Sequence, residues 1–160
     1  DRSFAEVDRP DVLIVPGGYG TRALLEHEPL LTWIRAVDRA TTWTASVCTG
    51  SLLLAAAGLL DGRPAATHWL ARDTLAELGA TPVAERVVFD GKYVTGAGVS
   101  AGIDMALSLV REAYGPEVAQ AVQLGIEYDP QPPLDSGSPE KAPAEIAELV
   151  AAVFAQREAG

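Results

Sequence analysis

The chain of 160 residues holds one cysteine, Cys48, so an internal disulfide is excluded and the expected location is cytoplasmic. No apolar run approaches the roughly 18 to 20 residues that cross a bilayer, and neither a membrane span nor a membrane partner is expected. The opening residues, Asp1 to Asp8, alternate charge with isolated apolar side chains and lack the basic start and apolar stretch of a secretory leader. Basic residues are few and scattered: twelve stand against 22 acidic ones, for a formal charge of −10. That charge opposes the counterion release that drives nonspecific nucleic-acid binding, so nucleic acid is not an expected partner. Glu127 and Asp129 form a carboxylate pair without accompanying histidine or cysteine, and neither a metal nor any other cofactor is expected. The length fits a single domain over residues 1–160.

What is present alternates between two periods. Asp11-Val12-Leu13-Ile14-Val15, ended by Pro16-Gly17-Gly18, reads as a central parallel strand buried on both faces. Leu30, Leu31, Ile34 and Val37 share one helical face after Pro29, and Thr42 to Val47 reads as a second buried strand. That strand runs into Cys48-Thr49-Gly50-Ser51 and a helix from Leu52 to Ala57, with Gly58 placed as its left-handed cap. Pro64 to Thr67 suggests a further strand, and Leu70, Leu75 and Leu78 support a helix closed by Gly79. Val87-Val88-Phe89 and Tyr93-Val94-Thr95 flank the turn Asp90-Gly91, which predicts a small antiparallel hairpin appended to a parallel sheet. A long apolar helix follows Gly96-Ala97-Gly98 and ends at Tyr114-Gly115, and Pro116 starts another. Residues 129–143 predict an extended loop, and Ile146, Leu149, Val150 and Val153 predict a final amphipathic helix. The alternation points to an α/β sandwich with its site at the carboxyl ends of the strands.

Gly17-Gly18 and Cys48 both fall at such ends. A thiol at a strand tip just before a helix faces the positive end of the helix dipole, which favours the reactive thiolate. Ser46, Thr49, Gly50 and Ser51 are small enough for a tight elbow that projects the thiol into a cleft. A lone cysteine is otherwise an inert core residue, and the strand-elbow-helix order is what separates the two readings. Gly17-Gly18 serves either as a plain turn or as a source of amide hydrogens for a developing negative charge. His68 stands as a base or orienter, or as a structural hydrogen-bonding residue beside Trp69, whereas His27 lies among charged residues and is expected in solvent.

Taken together, Val15-Pro16-Gly17-Gly18, Ser46-Val47-Cys48-Thr49-Gly50-Ser51, Ala57 to Gly62, Thr67-His68-Trp69, Gly98 to Asp104 and Asp135 to Pro139 resemble the ThiJ/PfpI (class I glutamine amidotransferase-like) superfamily, in its isonitrile-hydratase branch. The resemblance implies a flavodoxin-like three-layer α/β/α sandwich with a mostly parallel sheet, a nucleophile elbow and a small β-hairpin. It also implies a homodimer acting on a small-molecule isonitrile. Carried onto this chain, Cys48 would attack the isonitrile carbon, the amides of Gly18 and Thr49 would stabilise charge, and Thr49 would position or polarise water. Gly17 and His68 complete the expected site.

The chain departs from that pattern at its start. The resemblance implies a preceding strand and helix carrying an acid that contacts the cysteine, and the expectation is that this segment is missing here. Asp1, Glu6, Asp8 and Asp11 lie on the connection into the first strand and do not take the acid's place. Other cysteine-dependent chemistry of the superfamily, of glyoxalase or deglycase type, is the alternative among enzymes. The ligand-binding domain of an AraC-type transcription regulator is the alternative outside them, as is a noncatalytic dimer-forming or stress-protective protein.

Overall fold

The computed structural model describes residues 2–158; Asp1 and residues 159–160 lie outside the described residues. The chain divides into two compact units, residues 1–109 and 110–160.

The first unit is built on a four-stranded sheet of β1 (Val12–Val15), β2 (Trp43–Val47), β5 (Val87–Asp90) and β6 (Tyr93–Gly96), in the order β1-β2-β6-β5. β1 and β6 both run parallel to β2, with Val15 opposite Ser46 and Ser46 opposite Thr95. β5 runs antiparallel to β6. The sheet is thus mostly parallel and helices cover both of its faces, the α/β/α arrangement that the sequence predicts.

On one face, Leu13 and Val15 pack with α1 (Glu28–Asp38) and α2 (Gly50–Ala56). Helix α1 starts where His27 Nδ1 accepts the Leu30 amide hydrogen at 3.2 Å, and it buries Leu31, Ile34 and Val37 along a single stripe. Leu52, Leu53, Leu54 and Ala55 of α2 are all buried, so this short helix lies within the core. Each such leucine or isoleucine contributes about 1.5 to 3 kcal/mol through burial. On the other face, Met105 and Leu109 of α4 (Ala101–Tyr114) cover Ala45 and Val94. His27 is exposed as expected, yet it does structural work as the cap of α1.

Three local expectations are corrected. Among the described residues β1 differs from the expected central strand buried on both faces: it stands at one end of the sheet order, and Val12 and Ile14 are 44% and 50% exposed while Leu13 and Val15 are buried. A run of four branched apolar residues reads the same in either place, because composition does not register which neighbours a strand has. The hairpin is no appendage, since β6 lies between β2 and β5 and buries Val94 and Thr95. The strand expected over Pro64–Thr67 is shorter: β3 (Pro64–Ala65) pairs in parallel with β4 (Thr81–Pro82), and then the Ala66 amide turns away to Thr95 Oγ1 at 2.8 Å. Between β3 and β4 stands α3 (Arg72–Glu77), followed by Gly79 at φ +94°.

The second unit holds the end of α4 from Val110, then α5 (Pro116–Gly125) and α6 (Ala144–Glu158), with the predicted loop over residues 129–143 between them. The apolar residues Ile146, Leu149 and Val153 of α6 remain exposed, so the final helix does not bury the face that its sequence suggests.

The amino-terminal ends of β2 and β6 meet at a buried polar cluster. Asp38, at the end of α1, accepts the Thr44 hydroxyl at 2.7 Å and the Tyr93 hydroxyl at 3.2 Å, and pairs with Lys92 Nζ at 3.1 Å. The Thr41 and Thr44 hydroxyls lie 2.7 Å apart, and Thr41 also donates to the Asp38 carbonyl at 2.8 Å. Burial, then the charge of Asp38 and its hydrogen bond, holds the Tyr93 phenol above its ordinary value of 10.0. The cluster ties α1 to two strands, and removing its carboxylate strands three donors at once. Asp38→Ala is therefore expected to cost about 3 kcal/mol of stability in urea denaturation. Glu28→Ala, at the exposed ion pair with Arg35, is expected to cost under about 1 kcal/mol.

Candidate active site

β2 ends at Val47, and Cys48 follows with φ +59°, in the left-handed region that a non-glycine residue enters at a cost of about 1 to 3 kcal/mol. Both peptides that flank the residue are held. The Cys48 N–H donates to the Gly96 carbonyl at the end of β6 at 2.9 Å. The Cys48 carbonyl accepts from two hydroxyls, Ser51 Oγ and Thr67 Oγ1, each at 3.0 Å. The sharp strand-to-helix turn expected around a nucleophile is thus present, with a half-buried thiol at its apex.

The loop after β1 packs directly on this turn. A β-carbon on Gly17 would lie 2.7 Å from Thr49 N, 2.8 Å from Cys48 Cβ and 2.9 Å from Thr49 Oγ1, all too close for a side chain to fit. A β-carbon on Gly50 would lie 2.1 Å from the Val15 carbonyl oxygen. Gly18, at φ +141°, donates its amide hydrogen to Thr49 Oγ1 at 3.0 Å, and the same hydroxyl lies 3.2 Å from the Gly18 carbonyl. That carbonyl also accepts the Thr21 hydroxyl at 2.8 Å. The Gly18 amide is therefore already engaged with Thr49, and offering it to a substrate anion requires that this bond be shared or exchanged.

His68 comes to this region through its neighbour Thr67, whose hydroxyl holds the elbow. Its ring stands 6.0 Å from Trp69 between centroids, and a β-carbon on Gly98 would lie 3.7 Å from His68 Cδ2. His68 Nδ1 accepts the Leu70 amide hydrogen at 3.4 Å, which places the proton of the neutral ring on Nε2. Burial, and then the positive charge of Arg22, lowers its affinity for a second proton below the ordinary value of 6.5.

The structure brings Gly17, Gly18, Cys48 and Thr49 into direct contact, with His68 one residue from the Thr67 bond. Sequence reasoning passed over Thr67 and Ser51 as holders of the elbow. Thr67 stood only as part of a motif, and no spacing signals a contact across nineteen residues. Beside the loop, an apolar cleft of about 430 Å³ is lined by Leu13, Ile14, Gly17, Gly18, Trp33 and Leu53, among others. Among the described residues, no three His, Cys, Asp or Glu side chains are grouped to hold a metal ion.

This geometry coincides with a family match over residues 1–112, to the DJ-1/PfpI family. The chain belongs to that family. It is 52% identical to an isonitrile hydratase of Pseudomonas putida over 90% of this chain and 63% of the relative. It is 37% identical to the HTH-type transcriptional regulator CdhR of Pseudomonas aeruginosa, over 76% of this chain and 37% of that protein. The chain thus spans less than two thirds of the length of these relatives. Among solved structures, a ThiJ/PfpI family protein from Pseudomonas syringae superposes with a TM-score of 0.90 at 41% identity, covering 97% of this chain and 65% of that one. This likeness agrees with the flavodoxin-like DJ-1/PfpI fold read from the sequence.

Two outcomes follow for the DJ-1/PfpI elbow. Gly17→Ala is expected to lower stability by about 1 to 3 kcal/mol in urea denaturation through overpacking. Gly20→Ala, whose added methyl meets nothing within 4 Å, should show no such loss. For His68, the folded chain takes up a proton at lower pH than the unfolded chain does. Its contribution to stability is therefore complete above pH 6.5 and declines as the pH falls below that value. Urea midpoints measured across that range should fall more steeply for the wild type than for His68→Gln, and equal slopes would exclude His68 as the cause.

Proposed function

We propose that the protein carrying this chain hydrates organic isonitriles to N-substituted formamides, with Cys48 as the nucleophile. The observation that carries the reading is the elbow: a lone cysteine at positive φ, pinned at the end of a central strand, in a chain 52% identical to an isonitrile hydratase. In this scheme the Cys48 thiolate forms a C–S bond to the terminal carbon, which takes up a proton to give a thioimidate. Water then adds to that carbon and its oxygen remains there. The nitrogen is protonated and the C–S bond breaks, which returns the thiol and releases the formamide. The sum is one isonitrile plus one water to one formamide, with no oxidation or reduction.

Within that scheme the Thr49 amide is the donor best placed to stabilise developing charge, because the Gly18 amide is committed to the Thr49 hydroxyl. His68, whose proton affinity is lowered by burial and by the charge of Arg22, is assigned to substrate binding rather than to the role of a base. The reaction needs no metal or organic cofactor. We further propose a homodimeric cytoplasmic enzyme.

The ligand-binding reading keeps a foothold in the 37% identity to a transcriptional regulator. Turnover separates the two. The wild-type protein incubated with a simple alkyl isonitrile is expected to form the formamide, followed by loss of the isonitrile and appearance of the formyl proton in NMR. Cys48→Ala should abolish the product, and binding without turnover by the wild type would favour the regulator-like role. Thr49→Val, which deletes the hydroxyl and keeps the amide, is expected to lower kcat by about tenfold to a thousandfold. Thr49→Ser should restore most of it.

A further inference from the structure

The carbonyl of Cys48 and the amide hydrogen of Thr49 belong to one peptide group. A trans peptide is planar, so its C=O and N–H point in opposite directions and fixing one fixes the other. The oxygen of this group is gripped by two hydroxyls at 3.0 Å, Thr67 Oγ1 and Ser51 Oγ. Both residues are buried, Thr67 at 2% and Ser51 at 0% exposure. Ser51 is a local donor three residues along its own helix, a bond that many helix starts make. Thr67 is different: it reaches the carbonyl from nineteen residues away, on a segment that leaves its strand pairing to do so. The preceding residue supports it, since the Ala66 amide is anchored on Thr95 Oγ1 of β6 at 2.8 Å.

We propose that Thr67, assisted by Ser51, is a positioning residue that aims the Thr49 amide by holding the opposite end of its peptide. This rests on the reading of Cys48 and Thr49 given above. Two observations join in it. The first is the strained φ of +59° at Cys48, which persists only where surrounding bonds over-determine it. The second is the bare α-carbon of Gly17, since a β-carbon there would lie 2.7 Å from Thr49 N and crowd the amide that the clamp directs. The Gly96 carbonyl holds the preceding peptide through the Cys48 N–H at 2.9 Å, so the thiol stands between two fixed planes. Of those two planes, only the second carries an amide hydrogen left to the site.

The test compares Thr67→Val with Thr67→Ser in the full protein, following kcat and KM for an alkyl isonitrile, thermal melting, and exchange of the Thr49 amide hydrogen by NMR. Valine keeps the shape and loses the donor; serine keeps the donor. Misaiming one charge-stabilising donor should lower kcat by about tenfold or more while KM stays within about twofold. Thr49 amide exchange should quicken by about tenfold in Thr67→Val, and Thr67→Ser should recover both readouts. If Thr67→Val melts lower yet keeps the wild-type kcat and Thr49 exchange, Thr67 only stabilises the fold and the proposal is overturned. Should the wild type fail to hydrate isonitriles, the reaction assignment falls by itself. Thr49 exchange then still decides the clamp: unchanged exchange in Thr67→Val sinks it, and faster exchange sustains it.

Discussion

A single β-carbon at Gly50 would come within 2.1 Å of the Val15 carbonyl oxygen, and one at Gly17 would collide with Thr49 N and Cys48 Cβ. The end of β1 and the turn after β2 therefore meet backbone to backbone, at a separation that no side chain survives. Everything else at the site is built on that approach. It places the Gly18 peptide against the Thr49 hydroxyl, sets the loop beside the thiol, and allows α2 to begin directly beneath β1 and run into the core. Space is the constraint here more than conformational freedom, because the contact is between main chains.

Against this tight junction, the polar groups of the elbow divide into the satisfied and the unsatisfied. The Cys48 carbonyl and amide and the Thr49 hydroxyl all have partners. Ser46 Oγ, two residues before the cysteine, is buried with no hydrogen-bond partner among the described residues. An unpaired buried hydroxyl costs about 1 to 3 kcal/mol. Ser46 lies in register with Val15 on one side and Thr95 on the other, in the row beneath the elbow.

Cys48, the glycine pair and the order strand-elbow-helix were legible because each is a local signal: a β-branched run, a turn, then helix formers. The two faces of the sheet were legible for the same reason, through Leu31, Ile34 and Val37 on one helix and Met105 and Leu109 on another. What escaped notice is long-range. Val12 and Ile14 carry the composition of a central strand, yet among the described residues α4 covers Ala45 and Val94 on their face of the sheet and leaves both exposed. Tyr93-Val94-Thr95 looked like half of a hairpin because the turn at Gly91 is strong, while its pairing with β2, nearly fifty residues earlier, leaves no trace in local pattern. Thr67 and Asp38 act through side-chain bonds to distant segments, and a threonine or aspartate reads the same whether it caps, clamps or faces solvent.

β2 shows how these parts divide their labour. At its amino-terminal end Thr44 enters a cluster in which Asp38 gathers two hydroxyls and an ammonium, an arrangement with each donor met. At its carboxyl end the chain leaves the strand in a conformation that costs energy and is restrained by borrowed hydroxyls. A strand only five residues long transmits little give between its ends, because Ala45 is locked between two neighbours and covered by α4. The strain at the turn is held locally: β2 is paired on both sides and cannot shift register without turning Ala45 out of the core, and the Gly96 carbonyl and two hydroxyls fix the peptides on either side of Cys48.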